Sequence, residues 1–119
     1  MIIAASKLDT PAIEKIFQAW VEVGGNTPTG MEAAQIHAAI QRVVETQDPI
    51  ERFALEDGYR FGSKVGFNKL RFVIRGDQVD VLLGNSYGPD ARAERLRAID
   101  DAEKLFRKKL EEIFGAHAS

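Results

Sequence analysis

The chain contains no cysteine, and this single absence removes several kinds of chemistry. Disulfide bonds, thiolate metal sites and a cysteine nucleophile are all excluded. A chain without cysteine is also typical of a reducing compartment, where disulfide bonds do not persist. The fold therefore has to be held together by its hydrophobic core, without covalent cross-links.

Long hydrophobic runs are missing as well. No stretch approaches the roughly 18 consecutive apolar residues that a membrane-spanning helix needs. The first six residues, MIIAAS, have neither the basic start nor the long apolar centre of a secretory signal, and a short first strand or a packed arm explains them more simply. We therefore expect a soluble, cytoplasmic protein with no membrane partner.

Catalytic side chains are scarce. The two histidines, His37 and His117, lie far apart and lack the spaced carboxylates of a zinc or iron site. His37 lies along the apolar side of a predicted helix, where a core or boundary position is the simplest interpretation. The glycine-containing segment around Ser63 and Lys64 lacks the Gly-x-x-x-x-Gly-Lys-Ser/Thr spacing of a phosphate-binding loop. We expect no catalytic residue, no metal and no cofactor, and hence no enzymatic activity.

The amino-acid composition is that of an ordinary globular protein, but the charged residues are unevenly distributed along the chain. Of its 119 residues, 45% are hydrophobic and 29% are charged, and this length predicts one domain over residues 1–119. The net charge is −2, but residues 1–58 hold four basic and nine acidic side chains, whereas residues 59–119 hold twelve basic and nine acidic ones. Such a dipolar distribution favours charge-guided association with a partner or with a second copy.

Caps and helical spacing predict two helices in the acidic part of the chain. The first begins at Thr10-Pro11, with Thr10 as the expected cap, and ends at Gly24-Gly25. The second begins with the capping box Thr29-x-x-Glu32, which satisfies backbone N–H groups at the start of a helix. Asp48-Pro49 repeats this start pattern and predicts either a short third helix or a kinked continuation of the second.

The last helix is predicted from about residue 90 to residue 114. Apolar residues recur along it at helical spacing, with charged residues on the remaining faces. At 1.5 Å per residue this amphipathic helix is about 36 Å long, whereas a monomer of this size has a radius of gyration of about 13–14 Å. A helix of that length reaches across the domain or projects from it, so we expect a homo-oligomer, in the simplest case a homodimer, formed through it.

The clearest pattern is a β-hairpin in the part of the chain that spans residues 59–84. With Gly76-Asp77 as a two-residue turn, six apolar residues from Leu70 to Leu83 pair across the strands and share one face. Glycine at the first turn position suits a type II′ turn, whose twist matches that of the strands. The irregular, aromatic stretch 59–68 is either an additional strand, which would make a three-stranded meander, or a loop.

Together these elements predict an α+β fold: N-terminal helices, an antiparallel β-hairpin or three-stranded meander, and a long C-terminal amphipathic helix packed on its apolar face. The expected core consists of the apolar residues at helical spacing and on the inner face of the hairpin: Ile13, Ile16, Phe17, Trp20, Ile36, Ile40, Val43, Phe53, Leu70, Phe72, Ile74, Val79, Val81, Leu83, Leu96, Ile99, Phe106 and Leu110.

The opposite face of the hairpin carries the main functional signal. Lys69, Arg71 and Arg75 alternate along the first strand, and Arg60 and Lys64 precede them among aromatic residues; we call these five residues the basic hairpin face. Such a surface neutralises phosphates while aromatic side chains stack on bases. It is therefore the candidate binding site, although lysine and arginine are also common on solvated outer strands.

Two functions fit these features. The first is a small non-catalytic protein-binding module with a protein partner: an inhibitor, adaptor or regulatory subunit of the kind that phages and mobile elements encode. The alternative is a nucleic-acid-binding regulator, because three helices, a hairpin and a long helix match the element order of a winged helix with a dimerisation helix. The expected recognition helix, however, carries Glu51 and Glu56 with only Arg52 as a base, and the isoelectric point is about 5.7. The protein-binding interpretation is therefore preferred.

Overall fold

The computed structural model of the protein describes residues 1–24, 30–46, 69–84 and 93–115. These ranges contain β1 (Ile2–Ala4), a short 3₁₀ helix (Ala5–Lys7), α1 (Thr10–Glu22), α2 (Gly30–Thr46), β2 (Lys69–Arg75), β3 (Gln78–Gly84) and α3 (Ala93–Phe114). The predicted α+β fold, with an antiparallel sheet and a C-terminal helix, is thereby confirmed. Among the described helices, none is both long and apolar enough to cross a membrane.

The β-hairpin formed by β2 and β3 has the predicted register. All three expected apolar pairs are present: Ile74 with Val79, Phe72 with Val81, and Leu70 with Leu83. The chain reverses at Gly76, whose φ of +66° is a conformation that glycine adopts without steric cost. The tight turns that suit the twist of a hairpin need a positive φ at this position, which is why the glycine predicts the register so well.

A third strand, β1, joins the hairpin, and it comes from the N-terminus. The strand order is β1-β3-β2, with β1 antiparallel to the central strand β3. The pairing continues past both ends of β1, because Val81 N donates to Met1 O and Ala5 N donates to Asp77 O, each at 2.8 Å. The expectation of a short first strand is confirmed, whereas the additional strand considered for residues 59–68 lies outside the described residues.

Helix α1 has its cap one residue earlier than predicted. The cap is Asp9, not Thr10: the Asp9 carboxylate accepts a hydrogen bond from Ala12 N at 2.9 Å, and Thr10 and Pro11 occupy the first helical positions. A carboxylate in this place also interacts favourably with the positive end of the helix dipole. The end of the helix agrees with the prediction, since Gly24 follows it with a φ of +109°.

The other two helices have boundaries close to the predicted ones. Helix α2 starts at Gly30, directly after the expected cap, and α3 ends at Phe114. The described part of α3 starts at Ala93, where the prediction was about residue 90. The expected cap Thr29 and the third helix predicted from Asp48 lie outside the described residues.

The core lies between the inner face of the sheet and the helices. Every predicted core residue whose side chain is described is buried: Ile13, Ile16, Phe17, Trp20, Ile36, Ile40, Val43, Leu70, Phe72, Ile74, Val79, Val81, Leu83, Phe106 and Leu110. Within this core the Phe17 ring of α1 meets the Phe72 ring of β2 edge to face, with the ring centroids 6.4 Å apart. The side chains of the other three predicted core residues, Phe53, Leu96 and Ile99, are not among those described.

Candidate functional site

The basic hairpin face is only partly within the described structure. Lys69, Arg71 and Arg75 occupy alternate positions of β2 and therefore share one face of the sheet, as predicted. Of these three, the Arg71 side chain is described, and it is half-buried. Arg60 and Lys64 lie outside the described residues, so their membership of this face stays a prediction.

The outer side of the hairpin is not the fully solvated surface that the alternation suggests. Val73, between Arg71 and Arg75, is only 6% exposed although it does not belong to the core between the sheet and the helices. Asp80 and Leu82 of β3, on the same side, are half-buried as well. The outer side of the hairpin is therefore not uniformly exposed, because around Val73 the hairpin is buried on both faces.

On the outer side of the hairpin, the Asp80 carboxylate lies beside a cation. The α-ammonium group of Met1 lies 3.0 Å from Asp80 Oδ1 and donates a second hydrogen bond to the Val81 carbonyl at 2.8 Å. Hydrogen bonds from a charged donor are stronger than neutral ones, so this contact ties β1 to β3. The described part of the outer side of the hairpin thus combines Arg71 with the buried Val73 and an ion pair.

A groove with a volume of about 440 Å³ lies between α1 and α3. Its walls carry charged residues of both signs together with two apolar side chains: Lys15, Gln18, Ala19 and Glu22 from α1, and Lys109, Glu112 and Ile113 from α3. The volume lies within the range of small-molecule pockets, but such pockets are mostly apolar and this groove is not. The groove therefore lacks the mostly apolar lining that is typical of a small-molecule pocket.

One ion pair crosses this groove. Lys109 Nζ lies 2.6 Å from Glu22 Oε2, and this hydrogen bond raises the pKa of Lys109 above its ordinary value. A raised pKa keeps the lysine protonated at neutral pH, so Lys109 is poorly suited to act as a general base. Both side chains are partly exposed, and solvent screens their attraction. The pair therefore bridges the end of α1 and α3 but contributes little to their stability.

Helix α3 also displays a row of exposed residues, which we call the α3 stripe. On a helix with 3.6 residues per turn these five positions fall within about 80° of arc, and all five are exposed: Arg97, Asp101, Leu105, Lys108 and Glu112. At 46% exposure Leu105 is one of the two large hydrophobic side chains that the described part of the chain exposes, Ile2 being the other. The stripe borders the groove, because Glu112 belongs to both.

Two further features of the described residues concern metal binding and the histidine on α2. Within residues 1–24, 30–46, 69–84 and 93–115, no group of three or more metal-ligating side chains is placed to hold a metal ion. His37 is half-buried on α2, at the boundary position that its spacing predicts.

The groove is the feature that sequence reasoning missed, because the meeting of two helices depends on tertiary packing. The α3 stripe had a signal, namely charges of alternating sign at helical spacing around one leucine. Fold class alone does not decide function, since one architecture serves many activities. Comparison of the chain with protein-family models, with curated proteins and with solved structures finds no significant match.

Proposed function

We propose that the protein is a small non-catalytic protein-binding module and that the α3 stripe is its contact surface. The observation that carries this proposal is the 46% exposure of Leu105 on a helix whose other side holds the buried Phe106 and Leu110. An apolar side chain surrounded by charges of both signs matches the arrangement of a protein interface, in which a polar rim surrounds an apolar contact. The helix is anchored by one side and presents the other.

The groove between α1 and α3 extends this surface. Ala19 and Ile113 give it an apolar component, and the Glu22–Lys109 ion pair bridges the two helices. A partner that lies over the α3 stripe would therefore contact two helices. A surface that exists before binding loses less conformational entropy when the partner arrives.

The charge of the α3 stripe favours a protein partner over nucleic acid. Its two basic and two acidic side chains cancel, so a phosphate backbone gains no net attraction from it. The basic hairpin face is the surface that the nucleic-acid alternative requires, and its described cation, Arg71, is half-buried. That alternative has a clear signature: salt-sensitive binding of DNA or RNA that is lost when Lys69, Arg71 and Arg75 are all replaced by glutamate.

A module of this kind acts by covering or bridging surfaces of other proteins, as inhibitors, adaptors and regulatory subunits do. Charges at the rim of its contact surface set the association rate and the choice of partner more than they set the affinity. The chemistry of the proposed function is therefore recognition alone.

Site-specific photo-crosslinking in living cells tests the proposal. A photoreactive amino acid replaces Leu105 in the full chain, and the same replacement of Gln41, an exposed residue of α2, is the matched control. Irradiation should give a defined cross-linked product from position 105 and none from position 41. No product from either position, or equal products from both, would contradict the choice of surface.

A further inference from the structure

The charges of the α3 stripe follow an order that is complementary to itself. From its N-terminal end the stripe is positive, negative, apolar, positive and negative: Arg97, Asp101, Leu105, Lys108 and Glu112, all exposed. Followed from the other end, the sign at each charged position is reversed. Two copies of the helix that meet antiparallel therefore bring each charge opposite its counterpart.

The positions along the helix axis agree with this pairing. At 1.5 Å per residue, Arg97 and Glu112 each lie about 11 Å from the point between residues 104 and 105, and Asp101 and Lys108 each lie about 5 Å from it. A two-fold axis at that point places Arg97 opposite Glu112 of the second copy and Asp101 opposite Lys108 of the second copy, with the two Leu105 side chains beside the axis. A parallel pairing in register would bring like charges together.

Pairing within one helix explains this order less well. The intrahelical pair that the structure shows elsewhere on α3, Asp100 with Lys104 at 3.0 Å, has its acid four residues before its base, which is the more favourable orientation. In the α3 stripe, both pairs that lie four residues apart have the base first. These charges are therefore better placed for an antiparallel partner than for each other.

We propose that the partner on the α3 stripe is a second copy of this chain, bound antiparallel about a two-fold axis beside Leu105. This inference rests on the proposed function, because it names the partner of the same surface. A strip about 23 Å long and about 10 Å wide covers about 230 Å², well below the roughly 800 Å² per partner of a stable interface. The dimer is accordingly weak, and salt weakens it further because its ion pairs are exposed.

Reversing the charges in each half of the stripe separately provides the test. One variant carries Arg97→Glu with Asp101→Lys, and the other carries Lys108→Glu with Glu112→Lys. Each variant places like charges opposite one another in its own homodimer, whereas an equimolar mixture restores all four ion pairs. The four side chains are exposed, so the fold should be unchanged, and circular dichroism with thermal denaturation verifies this.

Sedimentation equilibrium in low salt, from about 20 µM to about 1 mM protein, measures the association. We expect the wild type to dimerise, each variant to dimerise at least about tenfold more weakly, and the mixture to regain the wild-type affinity. Any of three results would overturn the inference: the wild type is monomeric throughout, the variants dimerise like the wild type, or the mixture stays monomeric. A cross-link from position 105 to a different protein, together with a monomeric wild type, would refute only the second copy and leave the proposed function in place.

Discussion

Replacing Phe72 with alanine should remove a large part of the stability of the fold, because this side chain fills the inner face of the sheet. It is completely buried on β2, opposite Val81, and its ring meets that of Phe17 at an interplanar angle of 80°. Loss of a fully buried phenylalanine costs about 3–5 kcal/mol, through lost burial of the ring and through the cavity that remains. The edge-to-face contact accounts for about 0.5–1.5 kcal/mol of this cost.

Urea denaturation followed by fluorescence measures the effect. Trp20 is the only tryptophan and is fully buried, so its emission reports on the unfolding of the core. With a slope of about 1.5 kcal/mol per molar urea, a loss of 3–5 kcal/mol lowers the midpoint by about 2–3 M. The total free energy of unfolding of such a domain is about 5–15 kcal/mol. If the alanine variant does not fold, Phe72→Leu, with an expected cost of about 1–2 kcal/mol, keeps the effect measurable.

Leu82→Ala is the matched control for this experiment. Leu82 lies on β3, on the opposite side of the sheet from Phe72, and is half-buried, so its loss should cost about 1 kcal/mol. A cost for Phe72→Ala that is no larger than the cost for Leu82→Ala would refute the reasoning. It would mean that the strand register is shifted by one residue, which moves every side chain to the other face.

Three further changes test individual contacts. Asp9→Ala removes the carboxylate that caps α1 and should lower the free energy of unfolding by about 1 kcal/mol, whereas Asp9→Asn, which keeps an acceptor oxygen, should cost less. Gly76→Ala should cost about 1–2 kcal/mol through the φ of +66° alone, since no atom beyond the adjacent residues lies within 4 Å of the added methyl group; an unchanged urea midpoint would contradict this backbone conformation. By NMR, Lys109 should titrate above the ordinary pKa of 10.5 and return toward it in Glu22→Gln. Because the folded-state pKa is the higher one, the contribution of the Lys109 proton to stability is complete below pH 10.5 and is lost as the pH rises through the folded-state pKa. A pKa of Lys109 that does not respond to Glu22→Gln would show that the pair is absent in solution.

The hairpin was predictable because two independent signals specify the same register. Apolar residues alternate along both strands, and the glycine turn aligns them so that all six fall on one face. The buried residues of α1 and α2 follow in the same way from helical spacing. In each case the signal is local, and the core that forms is the one that the spacing predicts.

Other features depend on contacts that are distant in the sequence. Strand β1 has only three residues, and nothing in its sequence specifies β3 as its neighbour. Ile3 and Leu8 are fully buried and were absent from the expected core, because neither belongs to a helical or alternating pattern long enough to recognise. The cap of α1 was assigned one residue late because Asp9 and Thr10 are both good capping residues, and only the geometry at Ala12 N decides between them.

The candidate site also combines features that local sequence patterns predict with features that depend on distant contacts. Alternation along β2 predicted that Lys69, Arg71 and Arg75 share a face, and the strand has that arrangement. The burial of Val73 was not predictable, because alternation along the strand places it on the outer side of the hairpin. The α3 stripe is different, since its order of charges is visible in the sequence, but its meaning depends on which side of the helix faces the core.

A dilution series of amide NMR spectra tests most directly whether the exposed side of α3 is a protein-binding surface occupied by a second copy. Between about 1 mM and about 20 µM protein, we predict shift changes at residues of the α3 stripe, centred on Leu105, with little change on α2 or at the outer side of the hairpin. Spectra that are identical at every concentration would contradict the self-association. Changes confined to β2 and β3 would instead assign the contact to the hairpin and contradict the choice of α3.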